Sequence, residues 1–185
     1  LRAEDSRTNL EVRSRTEPLL SHYVSLFPNG AVTYSPTQTR QLRLAYSRRI
    51  TRPQAPQLDP GEFYENSKVV FRGNPDLRPE YTDALELGLQ ETRSWGTLQI
   101  NPYLRYSDDA VRPIRTVDAD GVMLTTFANL ATTRSLGTDV NANIRRGRLN
   151  LSPGIGVVDY KSDAGGFSTE AFSWNARANL TFAFS

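Results

Sequence analysis

Two acidic stretches carry residue types that could hold a cation or act as an acid and base pair. Asp118, Asp120 and Gly121 match the start of a calcium-binding loop, in which alternating carboxylates converge on the ion. The later ligands of such a loop are missing, and Asp-Gly between two alternating runs is also a standard hairpin turn. The neighbouring Asp108 and Asp109 would point to opposite faces of a strand. We therefore predict a hairpin turn, no metal site and no converging carboxylate pair.

Catalytic and cofactor chemistry has few candidate residues in this chain. The sequence contains one histidine, His22, and no cysteine, so neither a thiolate nucleophile nor a histidine metal site has support. His22 lies in a polar stretch in which no residue is marked as a nucleophile. Gly154 and Gly156 lack the surroundings of a phosphate-binding loop. We predict no catalytic residue, no cofactor and no enzyme activity.

The residues best suited to hold a polar ligand lie in the connection from residue 51 to residue 79. A connection of about 30 residues is uncommon unless it has a function such as ligand binding or closing over a pore. This one mixes aromatic side chains with hydrogen-bond donors and acceptors. The predicted ligand-binding residues are Arg52, Glu62, Tyr64, Arg72 and Asn74. A loop that only folds down over the rest of the protein would have a similar composition.

The elements that position this connection are strands, because apolar and polar residues alternate over most of the chain. Between Trp174 and Phe184 every second residue is apolar, and most residues between them are polar, which is the period of a half-buried strand. No stretch outside these runs shows the spacing of an amphipathic helix. We predict about eight strands, at residues 1–12, 24–35, 39–50, 80–93, 97–116, 122–145, 149–161 and 171–184.

The connections between the predicted strands alternate in length. Short turns follow the strands that end near residues 35, 93 and 145, whereas long connections follow those that end near residues 50 and 161. Bacterial outer-membrane barrels have this asymmetry, with short periplasmic turns and long extracellular loops. We predict an all-β fold, an antiparallel up-and-down meander that is part of a larger transmembrane β-barrel. Residues 1–185 form one partial barrel domain, and loops 51–79, 108–122 and 162–172 would capture ligand.

A membrane barrel would place the apolar face of each strand against outer-membrane lipid and the polar face in the lumen. Tyr34, Trp95 and Phe184 lie near strand ends, where aromatic residues mark the membrane interface. Two alternatives fit the same alternation. One is a passive porin or adhesin barrel, and the other is a soluble β-sandwich with a binding role.

The composition argues against a nucleic-acid-binding protein and against a helical membrane protein. The formal net charge of +2 is too close to zero to indicate a nucleic-acid partner, although the calculated pI is 9.0. No apolar run approaches the roughly 18 residues of a transmembrane helix, so any membrane span must be a strand. The chain begins at Leu1 without an initiator Met, which suggests that it is cut from a longer protein.

Three motifs resemble the barrel of TonB-dependent outer-membrane receptors, closest to their large outer-membrane β-barrel branch. The motifs are LFPNGAVTY from Leu26 to Tyr34, LRLAYSRRITRP from Leu42 to Pro53, and GNPDLRPEY from Gly73 to Tyr81. They occur in the order and spacing of that family over roughly residues 1–93. Beyond residue 93 the likeness is mostly one of strand pattern.

The resemblance implies a plugged barrel of about 22 strands that imports a scarce nutrient, such as a metal chelate, a glycan or a peptide. It also implies a bacterial outer-membrane location and energy supplied by the TonB complex through a plug domain that this chain does not contain. Fewer than half of the family's strands are present. The matching motifs are landmarks of architecture, so the resemblance implies no ligand contact for any single residue.

Overall fold

A computed structural model describes residues 1–10 and 19–184, and these residues are nearly all in strands. One short helix, α1, spans Ala55–Leu58. The strands are β1 Arg2–Leu10, β2 Leu19–Phe27, β3 Asn29–Thr37, β4 Arg40–Thr51, β5 Glu62–Asn66, β6 Val69–Arg72, β7 Glu80–Arg93, β8 Gly96–Val117, β9 Met123–Arg146, β10 Leu149–Ala164 and β11 Phe167–Phe182. No helix within the described ranges has the length and apolar character needed to cross a membrane.

Most strands belong to one sheet, whose order confirms the predicted meander. Its main path is β11, β10, β9, β8, β7, β4 and β3, and neighbours on this path are antiparallel. β5 and β6 form a hairpin that joins the same sheet through β6 and β9, which gives nine strands in all. β1 and β2 form a separate two-stranded sheet. β3 and β11 are the open edges of the main path.

Cross-strand register places apolar residues of neighbouring strands along the main path on the same face. Leu42 pairs with Leu89, and Leu89 pairs in turn with Ile100 on the next strand. Ile100 pairs with Val140, which pairs with Ile155. Because directly opposed residues of an antiparallel pair share a face, one side of the sheet is a continuous apolar surface. The opposite side carries mostly Asn, Gln, Arg, Ser and Thr.

The apolar face of the sheet is not covered by a second layer. Leu44 is 50% exposed, Ile155 47% and Trp174 67%, whereas the few fully buried side chains are small, such as Ala110 and Ala131. A β-sandwich packs its apolar face against another sheet. The described residues therefore contradict the sandwich alternative and match a wall whose apolar side meets lipid.

Pro28 divides the strand that the sequence predicts at residues 24–35. Proline has no backbone N–H for the sheet ladder, so β2 ends at Phe27 and β3 begins at Asn29. The Pro28 carbonyl still accepts a hydrogen bond from the backbone N–H of Arg48, at 3.1 Å. Of the strand predicted at 1–12, residues 11 and 12 lie outside the described residues.

Two predicted loops prove to be largely strand. β8 continues to Val117, so that in the 108–122 stretch only the turn before Met123 is outside the sheet. The connection predicted at 162–172 is a tight turn at Gly165 and Gly166, both with positive φ, between β10 and β11. Two consecutive glycines at positive φ allow the strands to run on to the turn, so the prediction of a long loop there was wrong.

Candidate functional site

The long connection, residues 52–79, crosses from β4 to the far side of β9. β10 pairs with β9 only as far as Ala164 and Ala131, which leaves the next part of β9 without a neighbour on that side. β6 takes this place and pairs in parallel with Met123–Thr125. The Lys68 carbonyl accepts a hydrogen bond from the Met123 N–H at 2.8 Å, and the Lys68 ammonium donates to the Asp120 carbonyl at 2.6 Å. The connection is thus part of the sheet.

Close backbone approach in the connection requires a glycine at position 73. The N–H of Gly73 donates to the Asp59 carbonyl at 2.8 Å, and the N–H of Asn74 donates to the Gln57 carbonyl at 2.6 Å. A Cβ atom at position 73 would lie 2.5–2.7 Å from backbone atoms of Asp59 and Gln57. These bonds hold the end of α1 against the start of the GNPDLRP segment, residues 73–79.

The GNPDLRP segment is docked on β8 and β9 by polar side chains. The Asn129 carboxamide accepts from the Arg78 N–H at 2.8 Å and donates to the carbonyls of Arg78 and Asp109 at 2.8 and 2.6 Å. The Arg78 guanidinium also pairs with the Asp109 carboxylate at 2.7 Å. Asp109 has a φ of 56° and lies in a β-bulge of β8. The bulge therefore presents both a carbonyl and a carboxylate to the segment.

Three of the predicted ligand-binding residues are brought together on one face of the β5–β6 hairpin. Glu62 pairs directly with Arg72 across the hairpin, with 3.7 Å between their nearest charged atoms. The Tyr64 hydroxyl donates to the Glu62 carboxylate at 2.7 Å, and this hydrogen bond raises the pKa of Tyr64 above its usual value. All three side chains are exposed, so the cluster can still offer an acceptor, a ring and guanidinium donors to a polar ligand.

The other two predicted residues make structural contacts elsewhere. Arg52 lies against the β1–β2 hairpin, where its guanidinium donates to Glu4 at 2.5 Å, to the Tyr23 hydroxyl at 2.7 Å and to Ser6 at 3.1 Å. The bond to the Glu4 carboxylate raises the pKa of Arg52 further. The Asn74 carboxamide donates to the carbonyl of Phe127 at 2.9 Å. Neither residue joins the cluster on the β5–β6 hairpin.

The polar face of the sheet is a hydrogen-bonded surface. Gln99 donates to Gln90 at 3.0 Å, and Arg177 donates to Asn141 at 3.0 Å. A groove of about 580 Å³ runs along this face near the short turns, lined mainly by Asn, Gln, Arg, Ser and Thr. A polar surface of this kind suits the water-filled or plugged interior of a barrel.

The turn at residues 118–121 confirms the hairpin interpretation of the acidic stretch. The Asp118 carboxylate accepts from the backbone N–H groups of Asp120 and Val122 at 3.0 and 2.9 Å, and Gly121 has a φ of 72°. The carboxylate is thus occupied in shaping the turn. Residues 1–10 and 19–184 contain no cluster of three or more His, Cys, Asp or Glu that could hold a metal ion.

Sequence reasoning missed Asn129 and Phe127, which contact the long connection from β9. Each lies about 50 residues further along the chain than its partner, Arg78 and Asn74 respectively. Within β9 they are ordinary strand residues. The one available signal was Asn129 itself, an amide in a run of small and apolar residues.

The fold and the site define a class of protein. One sheet with an apolar and a polar face, short turns at one end and an elaborate connection at the other forms part of the wall of an outer-membrane β-barrel. The sequence model of the outer membrane protein beta-barrel family matches residues 1–185. The chain belongs to this family, whose place is the bacterial outer membrane. The end of the sheet that carries the long connection is therefore the extracellular one, and the turns at residues 38–39, 94–95 and 147–148 are periplasmic.

Solved structures of outer-membrane receptors share the fold. The siderophore receptor PirA from Pseudomonas aeruginosa superposes with a TM-score of 0.66 at 14% identity, over 90% of this chain and 38% of that one. The outer membrane transporter YddB from Escherichia coli gives a TM-score of 0.55 at 15% identity, covering 89% of this chain and 27% of that one. PirA from Acinetobacter baumannii gives 0.58 at 11% identity, covering 88% and 35%.

The chain therefore spans less than two fifths of the length of each of these receptors. No curated protein matches the sequence. The structural likeness is one of fold, because identity is low throughout.

Proposed function

We propose that the chain is part of the barrel of a TonB-dependent receptor that imports a scarce nutrient, such as a metal chelate, a glycan or a peptide. The observation that carries the proposal is the long connection. It is built into the sheet through β6 and β9, and it presents an exposed cluster of Glu62, Tyr64 and Arg72 on the extracellular side.

The fold of the matched structures supports the same proposal. Two of them are siderophore receptors and one is an outer membrane transporter. In a receptor of this kind, a plug domain elsewhere in the protein would contact the TonB complex. The polar face of the sheet would meet the plug, and the extracellular connection would contact the nutrient first.

Within the connection, the cluster of Glu62, Tyr64 and Arg72 would bind polar groups of the nutrient. Arg52 and Asn74 would support binding indirectly, because each keeps the connection in place through a contact with another part of the chain. The cluster carries both charges, so a ligand with separate donor and acceptor groups fits it better than a simple anion.

Deletion of the complete gene tests the proposed import. The mutant bacterium should lose growth when one class of nutrient is limiting, and the full-length gene should restore it. Uptake should saturate and should stop when the inner-membrane energy coupling is removed. Uptake that persists without coupling and does not saturate would instead show a passive porin.

The role of the cluster is tested separately with the full-length receptor. Glu62→Gln combined with Tyr64→Phe should raise the KM for uptake about 30-fold, since two polar contacts of roughly 1 kcal/mol each are lost. The matched control is Tyr34→Phe, because Tyr34 is an exposed tyrosine on the outer face of β3. An unchanged KM in the double variant would show that the cluster does not bind the nutrient. The import proposal would be unaffected.

A further inference from the structure

The β5–β6 hairpin has a second side, and a cavity lies against it. Phe63 and Phe71 pair directly across the hairpin, so they share the face opposite to Glu62, Tyr64 and Arg72. A cavity of about 430 Å³ lies between this face, α1 and β9. Its apolar lining includes Pro56, Phe63, Phe71 and Phe127, and its polar lining includes Gln57 and Asp59.

The cavity has the size and lining of a site for a small apolar group. Ligand pockets commonly measure about 300–1,000 Å³ and combine apolar walls with a few polar groups. Phe63 is 67% exposed although its ring borders the cavity. Three phenylalanine side chains around the cavity favour an aromatic partner, because aromatic rings attract one another in edge-to-face and offset arrangements.

Two polar groups of the lining could orient such a partner. The backbone carbonyls of Gln57 and Asp59 already accept hydrogen bonds from the N–H groups of Asn74 and Gly73, respectively. The Gln57 side-chain oxygen accepts from Gln54, which leaves its NH₂ as a donor, and one Asp59 carboxylate oxygen accepts from Gly61. The second carboxylate oxygen of Asp59 can still accept a bond.

We propose that this cavity binds an aromatic ring of the nutrient that carries a hydroxyl group, with the ring against Phe63, Phe71 and Phe127 and the hydroxyl donating to Asp59. This inference rests on the proposed import function and deepens it, because it names a chemical group of the substrate. The hairpin then separates two subsites, an apolar one on the Phe63 face and a polar one on the Glu62 face.

The test uses the purified full-length receptor in lipid nanodiscs and 4-fluorophenol as the probe, followed by fluorine NMR with empty nanodiscs as the reference. Saturable binding is expected for the wild type, and Phe63→Ala should weaken it about fivefold. Because Phe63 is exposed, this substitution should leave the barrel folded. The matched control is Phe184→Ala, which removes an exposed phenylalanine at the opposite end of the sheet and should leave the affinity unchanged.

A second comparison tests the role of Asp59. Wild type should bind 4-fluorophenol more tightly than fluorobenzene, and Asp59→Asn should reduce that preference while keeping the oxygen that accepts from Gly61.

The proposal would be overturned by two results. One is absence of saturable probe binding to the intact receptor, as expected if another part of the longer protein fills the cavity. The other is equal affinity in wild type and Phe63→Ala. Neither result bears on import, because probe binding is measured without uptake and the gene deletion reports on import by itself.

Discussion

The barrel wall and the long connection are stabilised in different ways. In the wall, each strand repeats one rule, with an apolar residue outward and a polar residue inward, and the ladder of backbone hydrogen bonds extends over most of each strand. In the connection, a few individual residues hold the chain, chiefly Gly73, Arg78 and Asn129. The wall therefore distributes its stability over many pairs, whereas the connection depends on single contacts.

This difference predicts different tolerance to substitution. A cross-strand pair in a sheet contributes roughly 0.2–1 kcal/mol, so losing one pair of the wall is a small change. Losing a side chain that makes several hydrogen bonds to the backbone costs about 0.5–1.5 kcal/mol for each bond, all at one point. The wall should fail only where a new side chain would clash with a neighbouring strand, and the connection should loosen when Gly73 or Asn129 is replaced.

The largest effect is expected from Gly137→Val, a substitution in β9 within the barrel wall. A Cβ atom there would lie 2.5 Å from the ring and hydroxyl of Tyr103 and 2.7 Å from the Val157 carbonyl. Overpacking of this kind costs about 3 kcal/mol, and the full-length protein should lose its heat-modifiable, folded band in gel electrophoresis. Gly30→Val is the matched control, because Gly30 is a strand glycine with no atom within 4 Å. A folded Gly137→Val protein would contradict the close pairing of β8 and β9.

Gly73→Ala should open the connection and leave the wall intact. The new Cβ would meet three backbone atoms at 2.5–2.7 Å, and none of them can move aside as a flexible side chain could. We expect trypsin to cleave after Lys68 and Arg72 at least tenfold faster, with the heat-modifiable band retained. Gly88→Ala is the control, since its Cβ would make only ordinary contacts of 3.5 Å or more. Equal cleavage rates would show that the approach at Gly73 does not hold the connection.

Asn129→Ala should loosen the GNPDLRP segment by about 1–3 kcal/mol, because three hydrogen bonds to Arg78 and Asp109 are lost together. Hydrogen exchange at the backbone amide of residue 78 measures this change. Arg78→Ala separates the backbone hydrogen bonds of Asn129 from the side-chain ion pair of Arg78. It removes only the exposed ion pair with Asp109 and should cost less than about 1 kcal/mol. Faster exchange in Arg78→Ala than in Asn129→Ala would show that the ion pair, and not Asn129, holds the segment.

The smallest effect is expected from Arg52→Ala. Its contacts with Glu4, Ser6 and Tyr23 are exposed to solvent, so their loss should cost about 1 kcal/mol or less. Hydrogen exchange should become faster in the β1–β2 hairpin alone. Arg52→Lys should recover little of the protection, because an ammonium cannot bond to three partners in the plane of a guanidinium. Faster exchange across β4 and β7 would show that Arg52 supports the wall as well.

Strand positions were predictable because alternation is a local property. β4, β7, β8 and β9 begin and end within about two residues of their predicted limits. The exceptions have local causes that the pattern does not display, namely the missing N–H of Pro28 and the paired glycines at 165 and 166. The β5–β6 hairpin was missed because Val69, Val70 and Phe71 form a short apolar run without alternation. Its parallel partner in β9 lies more than 50 residues away.

The candidate site was predictable only in part. The composition of the long connection indicated a surface that could hold a polar ligand, and Glu62, Tyr64 and Arg72 do lie together. Nothing in the sequence indicated that Arg52 and Asn74 would be occupied by contacts to other strands. Whether the cluster binds a nutrient remains a prediction.

The sequence by itself determined that this chain is a wall of alternating strands with apolar residues on one face, because strand period and turn chemistry depend on neighbouring residues. It also carried the motifs by which its family is recognised. Only the tertiary structure decided that β6 joins the free edge of β9, that Asn129 receives the GNPDLRP segment, and that three phenylalanines border one cavity. Those contacts join residues far apart in the chain, and their geometry exists only after the sheet has assembled.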